Sequence, residues 1–162
     1  MSNEEITKED IYAAIPHREP FLFVDKVLEC TDKKILCEKT FTGEEDFFRG
    51  HYPGTPLVPG VILCEAVMQA GAIMLSRKMR NEWPITTEDG VIHPGGKIPV
   101  VVKMTDIRFR QIVRPGDTVQ LLAEPEFNTS RAYQMTGAVL KDGKPAVKLT
   151  FVVMVVYGDE DE

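Results

Sequence analysis

The stretch from Val61 to Met79 is apolar on nearly every side of the helix that its composition favours. Almost all of its residues are good helix formers, and a helix of this length extends about 28 Å. Pro59 and Gly60 stand where such a helix would begin. A helix that is apolar around most of its circumference must be covered by other structure, and a curved sheet can cover it. The run is short for a bilayer span, which needs about 20 apolar residues, so we predict a buried helix and no membrane segment.

Segments rich in apolar and β-branched residues follow this helix, and the connections between them carry turn residues. They are Ile98–Met104 continuing into Ile107–Val113, Thr118–Phe127, Ala132–Leu140 and Ala146–Tyr157. Before the helix, Phe21–Leu28 and Lys34–Phe41 predict a hairpin, and Thr7 with Asp10 predicts a short surface helix that ends near Pro16. Residues 81–97, rich in Gly, Pro and Thr, are predicted to form a loop. The pattern predicts an α+β fold in which an antiparallel sheet of five to seven strands encloses one long helix.

Length and charge restrict the protein class. With 162 residues and 43% hydrophobic content, the chain suits one domain, predicted over residues 1–158, with an acidic C-terminal tail at 159–162. The net charge is −6 and the tail supplies four of the acidic residues, so a binder of nucleic acids through a general basic field is not expected. Three cysteines without CxxC spacing predict neither a disulfide framework nor a zinc site. The polar N-terminus does not resemble a signal peptide, and a cytoplasmic location is predicted.

Glu65 is the only carboxylate or other fixed charge between Arg49 and Arg77. Burial in the first turns of an apolar helix would raise the pKa of its carboxyl and make it a candidate general acid. The alternative is that Glu65 simply favours the positive end of the helix. Gln69 lies one turn later on the same face, where its amide can orient the carboxyl or make an ordinary polar contact.

His51 opens a segment whose three prolines and two glycines, up to Gly60, fix an unusual backbone path into the helix N-terminus. Such a loop suits a general base, although a lone loop histidine is more often structural. We interpret His17 as capping the first helix, His93 as part of the 81–97 loop, and Cys64 as a core residue. No P-loop, GxGxxG or HExxH motif is present, so no metal or other cofactor is predicted.

Four blocks in the same order give this chain a close resemblance to a known family. They are Ile15–Asp25, Phe47–Val61, Glu65–Ala70, and Arg108–Gln111 with Pro115–Asp117. The chain resembles the (3R)-hydroxyacyl-[acyl-carrier-protein] dehydratases of fatty-acid synthesis, the FabZ type of the hot-dog fold. The resemblance implies a hydro-lyase that eliminates water from a 3-hydroxyacyl thioester carried on the phosphopantetheine arm of acyl carrier protein.

The resemblance also implies roles for individual residues. His51 would take the α-proton and Glu65 would help protonate the departing hydroxyl, directly or through water. The Gly60 amide would stabilise the thioester oxyanion, the Leu57 carbonyl would orient His51, and Gln69 would orient Glu65. The family forms its sites between two protomers, so His51 of one chain is expected to meet Glu65 of the other in a homodimer, with a trimer of dimers as the expected larger assembly.

Three basic residues, on a predicted strand after the 81–97 loop and in the turn that follows it, suggest a contact with the carrier protein or its phosphate. They are Arg108, Arg110 and Arg114, and an ordinary solvated strand and turn is the alternative for each. Family members often carry a tyrosine that gates the acyl tunnel, whereas the matching stretch here contains Val100. The 81–97 connection also looks longer than usual, so the resemblance leaves acyl-chain length undefined. Two other functions remain open, a hot-dog acyl thioesterase and a non-catalytic carrier-binding subunit of a heteromeric dehydratase.

Overall fold

A computed structural model of the chain describes residues 5–79, 85–88, 91–94 and 97–157, with 85–88, 91–94, 97, 98 and 157 described by their backbone alone. The long apolar stretch forms helix α2, Gly60–Lys78, within one residue of its predicted bounds at either end. By length and composition α2 would also qualify as a membrane span, but 67% of its most apolar window is buried within the fold. The helix is therefore the centre of the core.

The strands of the main sheet are all antiparallel. They are β1, Lys26–Cys30; β2, Ile35–Thr40; β5, Lys97–Phe109; β6, Thr118–Asn128; β7, Ala132–Lys141; and β8, Lys144–Tyr157. Their order in the sheet is β1-β2-β6-β7-β8-β5, so β1 and β5 are the two edges. The α+β fold with a long helix enclosed by a six-stranded curved sheet confirms the predicted architecture.

Helix α2 packs most extensively against β6 and β7, near the middle of the sheet. Gly137 on β7 makes this close approach possible, because a Cβ at that position would collide with Cγ1 of Val67. Alternate residues of the central strands face the helix and are fully buried, among them Leu121, Met135, Val139 and Phe151. Their neighbours form the outer face of the sheet, which the helix does not cover.

The segment before β1 departs from the prediction. Helix α1, Lys8–Ala14, begins at Thr7 with the predicted capping box, and its buried Ile11 and Ala14 face the core. Residues 21–24, however, belong to no strand, although Leu22 to Val24 are buried. Their backbone is held by a side chain: Phe23 N–H donates to Oε1 of Gln69 at 2.8 Å, and Gln69 Nε2 donates to the Phe21 carbonyl at 3.0 Å. The apolar residues 22–24 are therefore buried, as they would be in a core strand, but their backbone is bound by α2 and not by a neighbouring strand.

The 81–97 connection also differs from the prediction of a loop. Its described residues form a second, two-stranded antiparallel sheet from β3, Ile85–Glu88, and β4, Val91–Pro94. Alternating residues such as Ile85, Thr86 and Thr87 are compatible with a strand, but the surrounding Gly and Pro residues obscured that signal. The side chains of Trp83 and His93 and the predicted tail at 159–162 lie outside the described residues.

Candidate active site

The loop that carries His51 runs from a short 3-10 helix, Asp46–Arg49, to the start of α2. His51 N–H donates to the Phe47 carbonyl at 3.0 Å, and Val58 N–H donates to the Val113 carbonyl at 2.8 Å, so the loop is fastened at both ends. Tyr52 stacks on the imidazole with a centroid distance of 4.5 Å and is itself exposed. The loop therefore holds a half-buried histidine at the protein surface.

The imidazole of His51 is oriented by the backbone of its own loop. Its Nδ1 lies 3.0 Å from the carbonyl oxygen of Leu57, and Leu57 N–H donates back to the His51 carbonyl at 3.1 Å. A carbonyl oxygen can only accept, so in the neutral imidazole Nδ1 carries the hydrogen and Nε2 keeps its lone pair. This is the tautomer that a general base requires.

Gly60 is the first residue of α2, and its N–H belongs to the first turn, whose amides have no acceptor within the helix. A Cβ at Gly60 would lie 2.6 Å from Cε1 of Phe109, the last residue of β5, so the Phe109 ring packs directly on this backbone. Phe109 and the neighbouring Val61 are both largely exposed. An amide that has no acceptor within its helix, at the positive helix end, is suited to bind an oxyanion.

Glu65 lies on the first turns of α2 and is half-buried. Its Oε1 atom accepts from Gln69 Nε2 at 3.0 Å and lies 3.3 Å from Nε2 of His17. Gln69 is 1% exposed, and its amide also binds the backbone of residues 21 and 23, so it cannot turn away from the carboxyl. The hydrogen bond predicted from the four-residue spacing is present.

The prediction that His17 caps the first helix is wrong. The helix C-cap is Ile15, and His17 instead stands beside Glu65, where Arg18 donates to the carbonyls of Tyr12, Ile15 and His17 and closes the turn that carries it. A lone histidine between Pro16 and Arg18 gives no local signal of a contact nearly 50 residues away. Its place in the first of the four family blocks was the only indication.

The pKa of the Glu65 carboxyl also departs from expectation. Burial raises it, as predicted, but hydrogen bonds from His17 and Gln69 and the charge of His17 act in the opposite direction. Their sum is larger, so the net pKa lies below the ordinary value of glutamate. The prediction of a raised pKa was wrong because it considered burial without the two partners.

The three arginines expected to contact a carrier protein do not lie together. Arg108 and Arg110 line a groove of about 580 Å³ on the outer face of the sheet, beside Lys148 and Glu124. Arg108 pairs in register with Lys148, whereas the next residue, Phe109, faces the N-terminus of α2. Arg114 occupies a separate turn, next to the Val113 carbonyl that fastens the His51 loop. Of the three, Arg114 is therefore the one whose neighbour in sequence, Val113, binds the loop of the candidate base.

No group of three or more His, Cys, Asp or Glu side chains within the described ranges could hold a metal ion. Cys64 is buried, as predicted, and all three cysteines are free. Val100, which stands where the resemblance implied a tyrosine, is half-buried on β5 and pairs in register with Met154 of β8.

A long helix enclosed by an antiparallel sheet, with a histidine loop at the helix N-terminus and a carboxylate on its first turns, defines a protein of the hot-dog class. Comparison with known proteins makes this specific. A family model described as a FabA-like domain matches residues 15–150. The 3-hydroxyacyl-[acyl-carrier-protein] dehydratase FabZ of Oenococcus oeni is 41% identical over 117 residues, which are 72% of this chain and 75% of the relative.

The protein of the same name from Caulobacter vibrioides is 35% identical over 148 residues, 91% of this chain and 86% of the relative. Among solved structures, the dehydratase heterocomplex ApeI:P from Xenorhabdus doucetiae matches with a TM-score of 0.73 at 14% identity, over 93% of both chains. The chain belongs to the FabA-like family, and the four sequence blocks that suggested this membership all contain residues of the site or its support.

Proposed function

We propose that this protein dehydrates (3R)-3-hydroxyacyl thioesters of acyl carrier protein to the trans-2-enoyl thioesters in fatty-acid biosynthesis or a related pathway. The single observation that carries the proposal is the pairing of His51 Nδ1 with the Leu57 carbonyl, in the loop that leads into the first turn of α2, which leaves Nε2 to act as the base. The FabZ relatives act on this substrate by name, and they cover most of the chain.

The reaction needs a base, an acid and a polarised carbonyl. We assign removal of the α-proton to Nε2 of His51 and binding of the thioester oxygen to the Gly60 amide. The α C–H bond breaks as the double bond forms, and the C–O bond breaks with its electron pair on oxygen. Glu65 passes a proton to that oxygen, directly or through water, so that water leaves. Afterwards His51 returns its proton to solvent and Glu65 takes one up.

A shared site in a homodimer is part of the proposal. Within the described chain, His51 and Glu65 bind different groups and no hydrogen bond joins them. Strand β5 is an edge of 13 residues, and the exposed side chains along it include Val101, Val102, Met104 and Phe109. A long apolar edge is a template for pairing with another strand. A second copy would cover this edge and the exposed Val61, and it would bring its own His51 loop toward Glu65.

The carrier protein is the proposed partner, through its phosphopantetheine-linked acyl group. Arg114 is our first candidate for a contact with it because it adjoins the His51 loop, whereas Arg108 and Arg110 stand on the outer face of the sheet. The trimer of dimers and the cytoplasmic location remain predictions. The free thiols of all three cysteines are compatible with a reducing compartment.

The test is to incubate the protein with 3-hydroxybutyryl and 3-hydroxydecanoyl carrier-protein thioesters, and to follow loss of water by mass spectrometry beside a free-thiol assay. Burial raises the pKa of the Cys30, Cys37 and Cys64 thiols, so the protein itself should contribute little to the thiol signal. Loss of water without thiol release supports the dehydratase. Thiol release would indicate a thioesterase, and saturable binding without turnover would indicate a carrier-binding subunit.

A further inference from the structure

The two oxygens of the Glu65 carboxyl have different surroundings. Oε1 has two nitrogen neighbours, Gln69 Nε2 at 3.0 Å and His17 Nε2 at 3.3 Å, whereas Oε2 has no hydrogen-bond partner in the described part of the chain. A proton on Oε1 would compete with the amide N–H of Gln69, which can only donate. The transferable proton therefore belongs on Oε2.

His17 is held firmly in the position that produces this asymmetry. Arg18 donates to the His17 carbonyl at 2.7 Å and to two further carbonyls of the same turn. The imidazole is also stacked on Phe21, with a centroid distance of 6.4 Å and an interplanar angle of 19°. Gln69 in turn binds the Phe21 carbonyl, so one network fixes both partners of Oε1.

The other ring nitrogen shows which tautomer of His17 the site uses. Nδ1 is buried and has no hydrogen-bond partner in the described chain. A hydrogen on Nδ1 would be a buried donor without an acceptor, which is unfavourable. The hydrogen is therefore on Nε2, where it points at Oε1 of Glu65.

We propose that His17 is a positioning residue of the acid: its Nε2–H, together with the Gln69 amide, holds Oε1 so that Oε2 carries the proton that leaves with the hydroxyl group. When the Oε2–H bond breaks, the proton goes to the leaving oxygen, and its electron pair remains on the carboxylate. The two N–H donors on Oε1 stabilise the negative charge that forms there. This inference rests on the proposed dehydratase function. It assigns a role to His17, which is not one of the two expected catalytic residues, His51 and Glu65.

Two substitutions of His17 separate a donor from mere packing. His17→Leu fills similar space without a donor, and His17→Gln supplies an amide N–H that can replace Nε2–H. We expect His17→Leu to lower kcat by about 100-fold or more, with KM within about 3-fold of wild type, and His17→Gln to recover at least about 10-fold of that loss. Tyr12→Phe is the matched control, since it removes the hydrogen bond to Glu19 in the same segment and leaves His17 in place.

The ionisation of Glu65 gives a readout that does not need activity. In the described chain the titratable group that acts on Glu65 is His17, whose hydrogen bond lowers the pKa of the carboxyl, and in the proposed dimer His51 of the partner subunit also faces it. With His17→Leu, burial is opposed by Gln69 alone, so the pKa of Glu65 should rise. Carbon-13 NMR of labelled glutamate, with Glu65→Gln to assign the signal, measures this shift.

The outcomes distinguish this inference from the function on which it rests. If wild type dehydrates and His17→Leu keeps kcat within about 3-fold, or if His17→Gln loses as much as His17→Leu, the inference is overturned and the function stands. An unchanged Glu65 titration in His17→Leu overturns it as well. If wild type does not dehydrate, the proposed function fails, and the titration alone decides whether His17 controls the carboxyl.

Discussion

Gln69 Nε2 lies 3.0 Å from Oε1 of Glu65 and 3.0 Å from the carbonyl oxygen of Phe21, so one buried amide joins the candidate acid to the backbone of a distant segment. Its Oε1 accepts from Phe23 N–H at 2.8 Å. A residue in the middle of an apolar helix thus replaces the sheet partner that the 21–24 backbone lacks.

Replacing this amide should weaken both the fold and the site. Gln69→Leu leaves the Phe23 N–H and the Phe21 carbonyl without partners, and each buried group left unpaired costs about 1–3 kcal/mol. We expect the free energy of unfolding in urea to fall by about 3 kcal/mol, with a loss of dehydration where the protein remains folded. Gln134→Leu is the matched control, because Gln134 makes an exposed hydrogen bond to Glu126. Equal stability of the two variants would contradict the role of Gln69.

The contact between α2 and β7 predicts a second effect on stability. Gly137→Ala places a Cβ against Cγ1 of Val67 in a fully buried interface, and such overpacking costs about 1–3 kcal/mol. Gly50→Ala is its control, since a Cβ there meets nothing within 4 Å and φ is −114°. Thermal unfolding of both variants measures the difference. If Gly137→Ala melts at the same temperature as Gly50→Ala, the close approach of α2 to β7 is contradicted.

The lowered pKa of Glu65 predicts how stability depends on pH. The folded chain binds this proton less readily than the unfolded chain, whose glutamate has a pKa near 4.5. The carboxylate therefore contributes stability above pH 4.5 that is lost as the pH falls through the folded value. We expect the unfolding free energy of wild type to exceed that of Glu65→Gln by less and less as the pH falls from 4.5 through the folded pKa. A gap that widens toward acid would mean that burial dominates and the pKa is raised.

A site shared between two chains predicts that two inactive variants restore each other. In a mixed dimer of His51→Ala and Glu65→Gln, one site has both residues intact and the other has neither. Random exchange should recover roughly a quarter of wild-type activity, because half of the dimers are mixed and each has one intact site. Subunit exchange is checked by native mass spectrometry of differently tagged chains. Exchange without recovery would place both residues of a site in one chain.

The fold was predictable where local pattern and tertiary environment agree. Helix α2 and strands β6 to β8 have continuous apolar or alternating sequences that mark their bounds to within about two residues. Residues 21–24 show the limit of such patterns. Periodicity reports that a segment is buried, but it does not report that Gln69 of another element takes up its backbone hydrogen bonds.

The candidate site was inferred from two kinds of evidence. His51 and Gln69 stand at marked positions, in a proline-rich loop and on an apolar helix, whereas the role of Gly60 follows from the family resemblance. His17 could not be identified in this way, because its contact with Glu65 depends on how the turn after α1 folds back onto α2. The wrong prediction for the pKa of Glu65 followed in part from that omission, because His17 is one of the two partners that oppose the effect of burial.

The most direct test of this account is the mass of a 3-hydroxydecanoyl carrier-protein thioester after incubation with wild type, His51→Ala and Glu65→Gln. We predict that wild type removes one water per thioester and releases no thiol, and that each variant, folded by circular dichroism, does so at least about 1,000-fold more slowly. Thiol release by wild type, or full dehydration by either variant, would contradict the central claim.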